Sequence, residues 1–184
     1  MTKVFEEIVC LHAPEAAPLL LGSIFRFGKC AGRIVELEAY TQDDPSSHSH
    51  RGITTRNEPM FMRGGHLYVY LSYGVHWCLN IVTGKEGVGE ALLVRAIEPI
   101  EGVDLMKRRR QVDDIKKLCK GPGNLTKAFG ISKQQSGLFI GTQGVSLEIS
   151  PKSIEYQVGE RIGISTAKEW KRRYWIKDSP FVSR

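Results

Sequence analysis

Three groups of residues in this 184-residue chain have the types and spacing that chemistry needs. In Gly32 to Tyr40, alternation puts Ile34, Glu36, Glu38 and Tyr40 on one strand face and Val35 and Leu37 on the other. Two carboxylates spaced this way usually mark a solvated edge. A tyrosine that ends the same face before a polar loop makes it instead a common place for catalytic groups. Arg95 is the one charge in the apolar stretch Ala91 to Ile97, and a buried guanidinium must find a carboxylate or a phosphate. The third group is His66 to Val82, two aromatic and β-branched runs joined at Tyr73-Gly74, which predicts a β-hairpin. Tyr68 and Tyr70 share one face of its first strand; Leu67, Val69 and Leu71 share the other. Asn80 is an amide inside an apolar run, and Tyr73 sits where the turn exposes it. Aromatic walls, a buried amide and a ring at a tip describe a pocket with a wedge at its mouth. A packed hairpin with tyrosines along its edge is the plainer alternative.

Positioning these groups takes strands, a loop and helix ends. Ser23 to Phe27 and Gly32 to Tyr40 read as strands around a Gly28-Lys29 turn, preceded by a helix that Pro14 opens and Gly22 stops. The polar loop Thr41 to Arg63 is of a length that is usually functional or disordered. Ala91 to Ile97 is an apolar strand. An apolar stripe from Val103 to Leu118 predicts one helix or two, ended by Gly121-Pro122-Gly123. Asn124 is placed as the N-cap of a helix over Leu125 to Phe129, whose free N–H groups suit a phosphate. Ser146 to Ile149, Arg161 to Ser165 and Tyr174 to Ile176 read as short strands closing the sheet. The expected architecture is α+β: one domain over residues 1–184, with a curved, mostly antiparallel, open-barrel-like sheet flanked by helices.

Composition narrows the class. Apolar residues make up 41% and charged residues 25%, an ordinary globular balance. The longest apolar run, Ala16 to Leu21, is far too short to span a bilayer, and no basic-then-apolar leader opens the chain. A cytoplasmic protein of compact prokaryotic type is expected, with no membrane partner. Cys10, Cys30, Cys78 and Cys119 form no Cys-x-x-Cys pair, and His48 with His50 is the only close histidine pair. Neither arrangement makes a metal site, so no metal is expected. Lys and Arg number 26 against 20 Asp and Glu, a net charge of +6 that suits a polyanionic partner. The runs Lys107 to Arg110 and Lys168 to Arg173 are each most simply solvated helix faces.

Taken in order, Gly32-Arg-Ile-Val-Glu-Leu-Glu-Ala-Tyr40, Met60-Phe61, Gly65 to Asn80, Leu92 to Ile100, Gly121-Pro-Gly-Asn-Leu-Thr126, Arg161-Ile-Gly-Ile164 and Asp178-Ser-Pro-Phe-Val-Ser183 closely resemble the alkyladenine (3-methyladenine, methylpurine) DNA glycosylases. The resemblance runs from about Leu19 to Ser183. It implies a monomeric enzyme without metal or cofactor that acts on double-stranded DNA containing damaged purines. Such a base must be flipped out of the stack to be reached. The resemblance makes Glu38 the general base that activates water, and Arg95 a residue that holds Glu38 and that water. The backbone carbonyl of Ile162 is implied as the water's third contact. Tyr40, His48 and Tyr70 match the groups that sandwich the flipped base, Asn80 the amide that rejects the 2-amino group of guanine, and Tyr73 the intercalating wedge. His50, two residues from His48, is the alternative stacking histidine, and Glu36 is left structural or electrostatic.

Charge and position suggest Arg51, Arg56, Lys120, Gly121, Gly123 and Asn124 as phosphate contacts, ahead of the Lys107 to Arg110 run. A non-catalytic, single-stranded nucleic-acid-binding barrel would also explain the basic charge and the strand tyrosines, but it has no use for Glu38 and Arg95. One geometric expectation follows. If Tyr70 and Asn80 line one pocket, the loop at Tyr73-Gly74-Val75 holds an odd number of residues, or the ladder carries a bulge.

Overall fold

A computed structural model describes residues 3–183. Helices α1 (Lys3–Val9) and α2 (Ala13–Leu20) precede strands β1 (Ile24–Phe27), β2 (Cys30–Tyr40), β3 (Leu67–Ser72), β4 (His76–Val82) and β5 (Ala91–Glu101). Helices α3 (Val103–Arg110), α4 (Ile115–Leu118) and α5 (Pro122–Phe129) follow, then β6 (Val145–Glu148), β7 (Tyr156–Gly159) and β8 (Arg173–Ile176). Among the described residues the eight strands form one antiparallel, curled half-barrel sheet. Its main path runs β3-β4-β5-β2-β1-β6, and β8 pairs with both β2 and β7.

The period-2 alternation of the strands divides the sheet into two faces. Ala39, Leu92, Ile81 and Leu67 lie in register across β2, β5, β4 and β3, and all four belong to the main core with helix residues such as Phe5, Leu20, Leu125 and Phe129. One residue along, the row reads Glu38, Leu93, Asn80 and Tyr68. The chemistry-bearing side chains therefore stand on the sheet face away from the helices, each opposite the next.

Three local expectations are corrected. Ile34 does not share a face with Glu36: it packs in the core with Leu37, because two β-bulges interrupt the β2–β5 ladder between them. Asn124 is not an N-cap. Helix α5 begins at Pro122 with Gly121 at φ +99 as its cap, and the Asn124 Nδ2 donates to the Lys120 carbonyl at 2.7 Å. Arg161 to Ser165 is irregular, while β7 lies just before it. The Val103 to Leu118 stripe does become two helices, parted at Gln111, whose φ is +55. Arg109 and Arg110 in its basic run turn inward, onto the carbonyls of Ala128 and Phe129 and of Leu118. There they satisfy carbonyls that a helix end leaves unpaired.

Candidate active site

The cleft on the polar face of the sheet has a volume of about 570 Å³. Tyr40, His48, Tyr70, Asn80, Arg95 and Ile162 all line it, with Tyr68, Cys78 and Leu93 as further wall residues. Glu38 lies beneath, fully buried. Its Oε1 accepts the Ile162 N–H at 2.8 Å and sits 3.2 Å from Arg95 Nη1; its Oε2 accepts the Tyr40 hydroxyl at 2.9 Å. A carboxylate offers about four lone-pair sites, and those three contacts leave one open on Oε2.

Behind Glu38 the charges balance. Glu36 is also fully buried and meets Arg95 Nε at 3.3 Å and Arg173 Nε at 2.7 Å. Two carboxylates and two guanidinium groups thus share one desolvated cluster, which is what makes burial of any of them tolerable. Arg95 answers the demand read from its lone position in the strand: its partners are carboxylates. It reaches both because it is itself the extra residue of one bulge, with no residue opposite it in β2.

The hairpin meets the parity expectation. Ser72 pairs with His76, leaving Tyr73, Gly74 and Val75 as a three-residue loop, so Tyr70 faces Cys78, Tyr68 faces Asn80, and all four share the cleft. Asn80 Nδ2 donates to the Tyr68 carbonyl at 3.0 Å, which fixes the direction of the amide. Tyr68 and Tyr70 stack at 5.4 Å, and the His48 ring stands edge-on to Tyr70 at 4.5 Å. Burial raises the hydroxyl pKa of both tyrosines and of Tyr40, that of Tyr68 to about 12, so all three stay protonated.

Between the two histidines, His48 takes the cleft position. Its Nδ1 lies 2.9 Å from the Tyr68 hydroxyl, whereas His50 faces outward near the Gln42 carbonyl. One edge of the His48 ring meets solvent and the other is enclosed by tyrosines. That enclosure, and then nearby Arg56, holds its pKa below the usual imidazole value, so it is neutral at pH 7. The long loop is held by polar pins. Buried Asn57 donates to the His48 and Gly52 carbonyls at 2.7 and 3.0 Å, and buried Asp44 pairs with Arg161.

Arg161 is a residue that pattern reasoning missed as part of the site. Its guanidinium lies 4.6 Å from the centroid of the Tyr40 ring, covering one face of it, and its neighbour Ile162 supplies the N–H on Glu38. The signal was present only as a basic residue inside the Arg161 to Ile164 motif. Asp44, Arg173 and Ser183 were missed for the same reason: their partners are remote in sequence.

At the rim, Tyr73 is 91% exposed and Val75 69%, an apolar tip open to solvent. Tyr73 takes φ +49 and Gly74 +70, so the turn holds a bulky ring in a conformation suited to glycine. On the far side of the hairpin, a second cleft of about 450 Å³ is lined by residues including His76, Arg110, Asn124 and Lys127. Of the other suggested phosphate contacts, Arg51 is exposed, while Arg56 lies over Tyr70 at 5.5 Å and lines the main cleft. Among the described residues, no three His, Cys, Asp or Glu side chains gather as a metal site would require, and no helix is long and apolar enough to cross a membrane.

Residues 7–180 match the family model described as methylpurine-DNA glycosylase. A protein of Agrobacterium fabrum is 45% identical over 172 residues, covering 94% of this chain and 88% of its own length. One of Nitrosospira multiformis is 45% identical over 170 residues, covering 92% and 88%. One of Methanoculleus marisnigri is 47% identical over 161 residues, covering 84% and 83%. All three bear the provisional name 3-methyladenine DNA glycosylase.

Proposed function

The chain belongs to the methylpurine-DNA glycosylase family, enzymes that hydrolyse N-glycosyl bonds, and from that premise we propose how this molecule works. It flips damaged purines of the 3-methyladenine, 7-methylguanine, hypoxanthine and ethenoadenine class out of duplex DNA. It then cleaves the N-glycosylic bond with a water activated by Glu38 and leaves an abasic site.

The observation that carries this reading is Glu38 itself: a buried carboxylate, paired with Arg95, at the floor of an aromatic cleft whose rim carries an exposed ring. As the glycosylic bond breaks, its electron pair leaves with the base and positive charge builds on the sugar. The water adds to C1′ and gives its proton to the open lone pair of Glu38 Oε2, while the carboxylate stabilises the cationic sugar. Arg95 and the backbone carbonyl of Ile162 hold that water. A single-stranded binding barrel would have no need of a buried ion-paired carboxylate at this depth.

Tyr40, Tyr70 and His48 enclose the flipped base, each stacking contact contributing about 1–3 kcal/mol. Aromatic faces attract a cationic alkylated purine further, and a neutral His48 adds no opposing charge. Asn80 stands where the 2-amino group of guanine would collide. Tyr73 fills the vacated stack from the minor groove. Phosphates are held by Arg51, Arg56, Lys120 and the Gly121, Gly123 and Asn124 turn, with Lys127 and His76 extending this track beyond the hairpin.

The test is direct. Duplexes carrying each of the four lesions are incubated with the enzyme and scored for alkali-labile sites. Excision by the wild type, with Glu38→Gln inactive but still binding abasic-site DNA, is expected. No release from any duplex while binding persists would overturn the glycosylase reading, and full turnover by Glu38→Gln would remove Glu38 from the mechanism.

A further inference from the structure

Glu36 takes no part in that chemistry, yet its carboxylate carries four contacts where that of Glu38 carries three. Its Oε1 accepts from Arg173 Nε at 2.7 Å and from the Ser183 hydroxyl at 2.9 Å; its Oε2 accepts the Ser183 N–H at 2.6 Å. Arg95 Nε points into the same knot, 3.3 Å from Glu36 Oε1 and 3.3 Å from Ser183 Oγ. Arg173 closes the ring by donating from Nη2 to the Ser183 carbonyl at 3.0 Å. Ser183 thus offers its hydroxyl, its N–H and its carbonyl to one charge cluster.

The route that brings Ser183 there is specific. Strand β8 pairs with β2, placing Trp175 opposite Glu36 and Arg173 opposite Glu38. Asp178, at φ +57, then turns the chain, and the segment folds back beneath β2. Phe181 and Val182 remain partly exposed on the way, whereas Ser183 is buried. The segment is therefore anchored by polar bonds at Ser183 more than by apolar packing.

The consequence falls on Arg95. Its contact with Glu38 is 3.2 Å and its contacts with Glu36 and Ser183 are 3.3 Å. No one of them is short enough to fix the guanidinium alone. With Nε held from behind, Nη1 is left aimed at Glu38; with Nε released, the group is free to turn within the cleft it lines.

We propose that Glu36 and Ser183 are positioning residues that set the Arg95 guanidinium against Glu38, so that the Asp178 to Ser183 segment belongs to the excision machinery and not only to the fold. This rests on the glycosylase reading, and its test separates the two.

Single-turnover excision at saturating enzyme is compared for wild type, Ser183→Ala and Ser183→Thr, with affinity for abasic-site DNA and melting temperature measured on each. Ser183→Ala should lose between about 10-fold and 100-fold in the saturated rate, the range expected when a reacting group loses its support and shifts by about 1 Å. Its affinity should stay within about twofold of wild type, since the phosphate contacts are untouched. Ser183→Thr, which keeps the hydroxyl, should recover most of the rate. Glu36→Gln should show the same split between rate and affinity. If Ser183→Ala excises at the wild-type rate, if its loss lies in affinity, or if Ser183→Thr is as slow as Ser183→Ala, the positioning role is wrong. If the wild type itself excises nothing, it is the glycosylase reading that fails.

Discussion

Replacing Tyr73 by glycine should separate what the hairpin tip does for DNA from what it does for the fold. The ring is 91% exposed, so its removal forfeits almost no burial. Its backbone sits at φ +49, a left-handed conformation that costs an ordinary residue about 1–2 kcal/mol and glycine little. Glycine returns some of that gain, roughly 0.5–1 kcal/mol, through the greater freedom of its unfolded chain. The net change in stability should lie between zero and about 1.5 kcal/mol in favour of the variant, a melting-temperature rise of no more than about 6 °C for a domain this size. Excision should fall steeply all the same, because nothing then fills the stack behind a flipped base. Urea unfolding gives the first quantity and single-turnover excision from a paired lesion the second. A lesion placed in single-stranded DNA, which needs no wedge, should be far less affected. A destabilisation above about 2 kcal/mol would show that the ring packs in solution, and unchanged excision from duplex would show that it is no wedge. Either result refutes the reasoning.

Other perturbations follow from the same geometry. Arg161→Ala leaves Asp44 buried without its main partner, a loss of about 3–5 kcal/mol that calorimetry should register as a much lower melting temperature; a melting point within a degree of wild type would mean the pair is not desolvated. Asn80→Ser should admit the 2-amino group, so that release of undamaged guanine from long incubations rises above background, and no such release would return Asn80 to a packing role. His48 has its pKa held low, so it is neutral at pH 7 and gains charge only as pH falls below that depressed value. Protonation would then oppose a cationic base, and the ratio of 7-methylguanine to hypoxanthine excision should hold steady down to the ordinary imidazole value of about 6.5 and drop only below it. A ratio indifferent to pH, or one that drops equally in His48→Asn, would exclude the ring from the pocket.

How much of this could be read from the sequence depended on distance along the chain. The hairpin, its two faces and the odd loop were legible because alternation is local and an odd loop, or a bulge, is required once Tyr70 and Asn80 must share a side. Arg95 was legible as a demand, since a lone guanidinium in an apolar strand has to be paired, but alternation alone could not choose between a carboxylate and a phosphate. Arg161, Asp44 and Ser183 were silent because their partners lie 117 and 147 residues away in the chain and no periodicity connects them. The Asn124 cap was misplaced for a subtler reason. Asparagine is a good cap in isolation, but Gly121-Pro122 supplies a backbone turn and a first helical residue that start the helix three positions earlier.

The error at Ile34 is the more instructive one, because it concerns the strand that carries Glu38. Ile34 faces Ile97 and Leu37 faces Val94, three residues further on each strand, so the register before and after is the same. Between them Glu36 faces Ala96, leaving Val35 extra on β2 and Arg95 extra on β5. The two bulges cancel in register but not in facing. Each adds one residue to a short stretch, which turns the strand over and lets both Ile34 and Leu37 reach the core while Glu36 and Glu38 stay on the cleft side. A plain ladder keeping Ile34 in the core would have put Leu37 and Ala39 in the cleft and Glu38 among the helices, where a carboxylate could not be solvated or paired. The bulge on β5 solves the complementary problem, freeing Arg95 from the ladder opposite so that its two ends span Glu36 and Glu38. Strict alternation predicts which residues share a face only where the pairing is unbroken, and here the sheet is broken at the point where Arg95 meets Glu36 and Glu38.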